Sequence, residues 1–290
     1  MNEREKNRTE DGTLYLVATP IGNLADITER AKKVLSEVSF VAAEDTRNTA
    51  RLLLSYGIHA ELVSYHEHNR RESGERIVGR LLSGESCALV TDAGMPAISD
   101  PGEDIVRLCA EAGITVRIVP GACAAVSALA LSGLSTARFA FEGFLPAKAG
   151  ERRSRLLAVM DDDRTLIFYE APHKLRATLS DMEKIFGKER KISLCRELTK
   201  INEEAFRTTL GEAVLHYENN EPRGEYVLIV EGGTGRVRSE GKEALLSLSP
   251  EEHVAHYEAE GLSRKDAIKA AARDRGLPKS EFYRLLIENN

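Results

Sequence analysis

Short apolar runs alternate with polar, helix-spaced stretches through the first half of the chain. Residues 14–18, 40–43, 62–65, 87–91 and 116–119 read as strands, each too short for a buried helix. Between them, a charged stretch near 70–83, the spacing of Ile105, Leu108 and Cys109, and a small-residue run at about 122–132 read as helices. Asp26 and Glu29 are spaced as a capping box for a helix reaching Leu35, and Asp100, Pro101 and Glu103 are spaced to cap and open the helix around 105–109. This alternation predicts a mainly parallel sheet with helices on both faces.

The pattern loosens after Phe144-Leu145-Pro146. Residues 148–155 are basic and polar and read as a linker or mobile loop. Strands are expected at 165–169, 192–195, 204–209 and 226–230, with a helix at about 173–185, which suggests a second α/β domain with mixed strand directions. Gly232-Gly233-Thr234-Gly235 reads as a linker, and 249–290 as helical throughout. There Ser263 is placed to cap a helix to Arg273, Gly276 to end it, and Pro278 to open a helix to Ile287, a pair resembling a helix-turn-helix. The expected class is therefore α/β, with parallel and mixed sheets flanked by helices and a C-terminal helical extension. The expected divisions are a frayed 1–12, an N-terminal domain at 13–143, a second domain at 144–232, and linker plus helices at 233–290.

Composition narrows the partners. A net charge of -6 over 290 residues excludes a uniformly basic nucleic-acid binder, so any RNA contact must come from local patches. From Arg264 onward seven Lys/Arg face four Asp/Glu, a local balance of +3. Cys87, Cys109, Cys123 and Cys195 form no CxxC pair and read as reduced thiols of a cytosolic protein. The charged start carries no secretory signal, and the apolar run at 122–131 is shorter than the roughly 20 residues a membrane helix needs, so a cytoplasmic location without membrane association is expected.

The candidate chemistry gathers at strand ends. Asp92-Ala93-Gly94-Met95-Pro96-Ala97-Ile98-Ser99-Asp100-Pro101-Gly102 follows a buried strand and precedes a helix, where open α/β sheets bind ligands. Neither a GxGxxG nor a Walker loop is present, and Asp92 and Asp100 disfavour a polyphosphate, so the loop suits a ligand with a positive or neutral head. His59, His66 and His68 lack the spacing of a metal site, and no metal is expected. Glu170-Ala171-Pro172-His173 and Arg196-Glu197-Leu198-Thr199-Lys200 also end strands; they could hold a substrate or move a proton, or serve as caps and surface ion pairs. Pro222-Arg223-Gly224-Glu225 is either a β-turn or a backbone wall for a ligand.

Thr19-Pro20-Ile21-Gly22-Asn23-Leu24, Ala43-Glu44-Asp45-Thr46-Arg47, the 92–102 loop, Val119-Pro120-Gly121 and Pro222-Arg223-Gly224-Glu225 occur in this order. Together they resemble the ribosomal RNA small subunit methyltransferase I family of the tetrapyrrole-methylase superfamily, from about residue 12 to 232, with a similar helical tail. The resemblance implies a two-domain tetrapyrrole-methylase-like fold, a homodimer, and S-adenosylmethionine bound in a cleft between the two domains. It implies 2′-O-methylation of a decoding-centre cytidine in 16S ribosomal RNA, with the 30S subunit as the expected partner. Carried over by position, the cofactor residues are Pro20, Asp92, Ala93, Gly94, Pro96, Ile98, Ser99, Ser127 and Ala128, with Leu145, Ala171 and Gly224 from the second domain. Glu170, His173, Glu197 and Lys200 are candidates for accepting the hydroxyl proton, and Arg47, Arg152, Arg153, Arg155 and Arg196 for contacting RNA phosphates.

Two rival functions remain open at this level: an S-adenosylmethionine-dependent C-methyltransferase acting on a tetrapyrrole, and a non-catalytic nucleic-acid-binding protein that reads DNA with its tail. The basic 148–155 segment, the Glu-Asp-Thr-Arg motif and the tail favour RNA over a tetrapyrrole. The acidic total charge and the elaborate α/β body disfavour the DNA reader.

Overall fold

Four buried residues in a row at Phe40–Ala43, and again at Cys87–Val90, mark strands covered on both faces, as in a parallel sheet between two helix layers. The structure, a computed structural model, describes residues 8–233, 245–259 and 261–288. By internal contacts the chain divides into one unit of Met1–Ser127 with Glu197–Glu203, and a second of Ala128–Arg196 with Glu204–Asn290.

The first unit carries β1 (Thr13–Val17), β2 (Phe40–Ala43), β3 (Leu62–Ser64), β4 (Cys87–Val90) and β5 (Thr115–Val119). They lie in the order β3-β2-β4-β1-β5, every pair parallel. Alternate residues face opposite layers: Val41 and Ala43 join Val34, Leu35 and Leu53 in one core, while Phe40 and Ala42 join Ile77, Leu81 and Ile105 in the other. The helices are α1 (Glu29–Glu37), α2 (Thr46–Ser55), α3 (Arg70–Leu82) and α4 (Glu103–Glu111), and α5 (Ala124–Ser132) crosses the division between units.

The second unit holds β6 (Phe139–Phe144), β7 (Thr165–Glu170), β8 (Lys191–Arg196), β9 (Glu204–Thr209) and β10 (Tyr226–Val230), in the order β6-β7-β10-β8-β9. Only β6 and β7 run parallel; the other pairs are antiparallel, as the denser strand pattern predicts. Helices α6 (Ala149–Val159), α7 (Pro172–Phe186) and α8 (Leu210–Asn219) cover this sheet's core. The tail forms α9 (Pro250–Ala259), α10 (Arg264–Asp274) and α11 (Lys279–Glu288), packed through Val254, Tyr257, Ala267, Ala271 and Phe282. Ser263 caps α10 by accepting from the Asp266 backbone N–H, and Gly276 follows that helix at φ +67°, as expected. Of the Gly-rich linker, Thr234 and Gly235 lie outside the described residues, as do residues 1–7 of the expected frayed terminus.

Several local expectations are corrected. Thr28, not Asp26, caps α1, accepting from the Ala31 backbone N–H at 3.0 Å, while Asp26 sits in a short 3-10 turn. Asp100 does not cap α4: the helix starts after Gly102, without a side-chain cap, and Pro101 lies outside it. The 148–155 segment is not a loop but the first part of α6, and α2, β6 and α8 were not foreseen. Residues 9–12 are tied down, with Glu10 paired to Arg117 at 2.7 Å and the Gly12 N–H donating to the Glu85 carbonyl. β6, which a boundary at 143/144 leaves with the first domain, pairs with β7 in the second sheet.

Candidate functional site

Because β1 and β4 are parallel neighbours, their carboxyl ends leave the same edge of the first sheet. The two following loops are tied together there. Thr19 and Gly94 exchange backbone hydrogen bonds at 2.8 and 3.1 Å, and the Thr19 hydroxyl donates to the Thr91 carbonyl. Gly94 adopts φ +83°, and a Cβ there would lie 3.2 Å from Ile21 Cγ2. Its side chain is missing for both reasons. Ala97 and Ser99 follow at φ 68° and 64°, a left-handed conformation that non-glycine residues adopt at a cost. Glu197 and Thr199 are left-handed too. Their turn closes against the first loop, since a Cβ on Gly22 would come within 3.0 Å of the Leu198 carbonyl oxygen.

These loops border a cleft of about 360 Å³ lined by Pro20, Gly22, Leu24, Asn48, Leu52 and Asp92, among others. The volume lies within the roughly 300–1,000 Å³ typical of small-molecule sites. Its charged lining residues are Asp92 and Arg51, and Asp92 is held in place. Asn48 Nδ2 donates to Asp92 Oδ2 at 2.9 Å, and Thr91 Oγ1 donates to Glu44 Oε2 at 3.1 Å. Burial pushes the Asp100 carboxyl up to about 6; Glu44 and Asp92 add to that rise, and the Thr91 hydroxyl opposes it. Glu44, Asp92 and Asp100 gather negative charge around Thr91, beside a cleft wall that also carries Arg51.

The edge of the second sheet collects the remaining candidates. Glu170, Tyr226, Arg196 and Glu204 lie in one line across β7, β10, β8 and β9. Leu145 follows β6, Ala171 precedes α7, and Gly224 precedes β10 at φ +77°. Ser127 is exposed and Ala128 buried on α5.

The structure separates the proposed proton acceptors. Glu170 is buried: Oε1 accepts from the Ala171 backbone N–H at 2.9 Å and faces Lys174 Nζ at 3.1 Å, while Oε2 accepts from Thr178. A carboxylate so fully engaged fastens the start of α7 to the sheet. His173 is exposed on the first turn of α7. Glu197 pairs with Lys200 at 2.9 Å, and the Lys200 stem packs against Gly22, a residue of the cleft wall in the same unit.

The arginines divide as well. Arg152 is corrected from a phosphate contact to a structural ion pair: its side chain is 8% exposed and meets the buried Asp181 at 2.7 Å. Arg153 pairs with the other oxygen of Asp181 and donates to the Gly261 carbonyl. Arg155 meets Glu142 at 2.6 Å, Arg196 meets Glu204 at 2.9 Å, and the exposed Arg47 folds back onto Asp45 at 2.8 Å. Sequence reasoning missed Asn48, which lies on α2, whose polar first turn reads as loop. It read the acidic character of Asp100 but also expected it to cap α4, which it does not.

The profile of the Tetrapyrrole (Corrin/Porphyrin) Methylases matches residues 13–214. A crystal structure of uroporphyrin-III-C-methyltransferase from Thermus thermophilus shares the fold, with a TM-score of 0.55 at 20% identity over 76% of this chain and 94% of that one. The class is thus that of the tetrapyrrole methylases. Proteins named Ribosomal RNA small subunit methyltransferase I from Halalkalibacterium halodurans and Pseudomonas aeruginosa are 51% and 48% identical to this chain, covering 97% and 96% of it and 96% and 97% of their own lengths. The chain belongs to the ribosomal RNA small subunit methyltransferase I family, and its methyl donor is S-adenosylmethionine. The first-unit cleft fits that donor in one respect: the Asp92 carboxylate, held by Asn48, lies on its wall and suits a cationic ligand.

Proposed function

We propose that the protein methylates the ribose 2′-hydroxyl of a decoding-centre cytidine in 16S ribosomal RNA. The observation that carries the substrate class is the nearly full-length identity to relatives named as small-subunit ribosomal RNA methyltransferases. The choice of a cytidine 2′-hydroxyl rests on the resemblance of the loop motifs.

In this reading Pro20, Asp92, Ala93, Gly94, Pro96, Ile98 and Ser99 hold the cofactor, with Asn48 fixing the Asp92 carboxylate. S-adenosylmethionine supplies an already activated sulfonium methyl group. The chain must therefore align the acceptor oxygen and take up its proton. We assign proton acceptance to Glu197, whose carboxylate is paired with Lys200 and which opens, on a left-handed backbone, the turn that packs against Gly22. The homodimer expected from the resemblance is consistent with half-exposed apolar side chains at Ile118 on the edge strand β5 and Val126 on α5. No helix among the described residues is long and apolar enough to cross a membrane, and we place the activity in the cytoplasm, where ribosomal subunits assemble.

Incubation with radiolabelled S-adenosylmethionine and 30S subunits lacking the modification tests the reading, with a precursor tetrapyrrole as the competing acceptor. Label in 16S ribosomal RNA is expected. Label in the tetrapyrrole, or in neither, contradicts it.

A further inference from the structure

At the aligned edge of the second sheet lies a cavity of about 250 Å³ that none of the cofactor or proton-transfer roles uses. Arg196, Glu204, His216, Tyr217, Arg223 and Tyr226 line it, with polar atoms dominating the walls. Tyr226, Arg196 and Glu204 belong to the line Glu170–Tyr226–Arg196–Glu204, so the cavity sits on the strand-end row that carries Glu170, with Tyr226 two residues after Gly224.

Its hydrogen bonding is incomplete in one respect. Arg196 Nη2 meets Glu204 at 2.9 Å, yet Arg196 Nε is shielded from solvent with no acceptor. A buried guanidinium N–H without a partner is unfavourable, because its lost hydration is not replaced. Glu204 contacts only one of the two N–H groups on that edge of the fork, and about half of its side chain is exposed. Such a single-contact, half-exposed pair is weakly held, so an incoming group displaces it at little cost. A tetrahedral oxyanion matches the fork with two parallel bonds, on both Nε and Nη2. The second guanidinium, Arg223, is 79% exposed and bound only loosely to Glu221 at 3.3 Å, which leaves it free to turn inward. The backbone between them is fixed, because the Arg223 N–H donates to the Tyr226 hydroxyl. Tyr217 is bonded to the same hydroxyl, and burial pushes its phenol upward, so it stays neutral beside an anion.

We propose that this cavity is a phosphate subsite that grips one backbone phosphodiester of the substrate RNA between Arg196 and Arg223. The source of that phosphate rests on the RNA-methyltransferase reading; the anion chemistry does not. Both arginines lie on the unit that carries the line of strand-end residues, so the subsite registers the strand rather than reading a base.

The test is a titration of the intact protein with inorganic phosphate and with a ribonucleotide trimer, followed through the arginine Nε–H resonances. The Arg196 signal is expected to shift with both. Arg196→Lys, which keeps the charge and removes the fork, and Arg223→Ala, at an exposed side chain, are each expected to weaken trimer binding about ten-fold. Glu204→Gln frees the fork and is expected to tighten phosphate binding several-fold. In methylation assays Arg223→Ala is expected to raise the KM for 30S subunits and to flatten its salt dependence by about 0.7 in log–log slope, leaving the affinity for S-adenosylmethionine intact. No shift with either probe, or no effect of Glu204→Gln, overturns the subsite. A shift with phosphate but not with the trimer overturns the RNA assignment and leaves a free-anion site. The titration involves no methyl transfer, so its failure is distinguishable from failure of the methylation reading.

Discussion

Thr19 and Gly94 are joined by two backbone hydrogen bonds, of 2.8 and 3.1 Å, that clamp the loop after β1 to the loop after β4. The clamp requires the left-handed backbone of Gly94, and a Cβ there would crowd the Ile21 side chain at 3.2 Å. Gly94→Ala is therefore expected to destabilise the protein by about 1–2 kcal/mol and to weaken S-adenosylmethionine binding at least ten-fold. Urea unfolding and calorimetric titration measure the two effects. Gly94→Trp with full activity refutes the loop's assignment.

Asp100 predicts a pH dependence with a definite sign. Its folded value, pushed up to about 6, lies above the ordinary carboxylate value near 3.8. Above pH 6 the buried charge opposes folding. That penalty is relieved as pH falls through about 6 and is gone below about 4, so this group favours folding in acid. Binding runs the other way, because protonation weakens the negative field that Asp100 shares with Glu44 and Asp92. S-adenosylmethionine affinity is expected to fall between pH 7 and 5. In Asp100→Asn the apo protein should melt higher at pH 7.5 and lose that part of the pH dependence. An unchanged melting temperature and an unchanged affinity profile contradict the assignment.

The Arg152–Asp181 pair sorts structural from substrate-facing arginines. Asp181 accepts from Arg152 at 2.8 Å and from Arg153 at 3.0 Å in a buried setting. Asp181→Ala leaves both guanidinium groups uncompensated and is expected to cost about 3–5 kcal/mol. Arg152→Ala should destabilise similarly. If Arg152→Ala keeps its stability but loses affinity for 30S subunits, Arg152 contacts RNA after all.

Glu197 and Glu170 are separated by the same logic. Glu197→Gln is expected to lower kcat by about 10²–10³-fold with little change in S-adenosylmethionine affinity, since it removes the proton acceptor and keeps the shape. Glu170→Ala is expected to unfold more readily because Thr178, Lys174 and the Ala171 N–H lose their shared partner. A variant of Glu170 that keeps its stability and loses kcat reverses the two roles.

What could be read from the chain follows the physics of each segment. β2, β9 and β10 were legible to the residue because an apolar or β-branched run between turn residues has few other readings. Helix α2 was not, since Thr46-Arg47-Asn48-Thr49 looks like loop until Thr49 and Leu53 are seen to be its buried stripe. The start of α6 was hidden by its arginines: Arg152 looks like a surface charge, and only the distant Asp181 makes it a core residue. In the site, loop positions were readable from glycine and proline spacing. The grip of Asn48 on Asp92 and the burial of Asp100 depend on contacts across strands, which spacing along the chain does not reveal.

The most direct test of the central claim is alkaline digestion of 16S ribosomal RNA after methyl transfer by the purified protein, followed by mass analysis of the products. A ribose 2′-O-methyl group removes the neighbouring hydroxyl that alkali needs for strand scission. One alkali-resistant dinucleotide beginning with a methylated cytidine is the predicted result. A methyl group on a base, or complete digestion to mononucleotides, contradicts it.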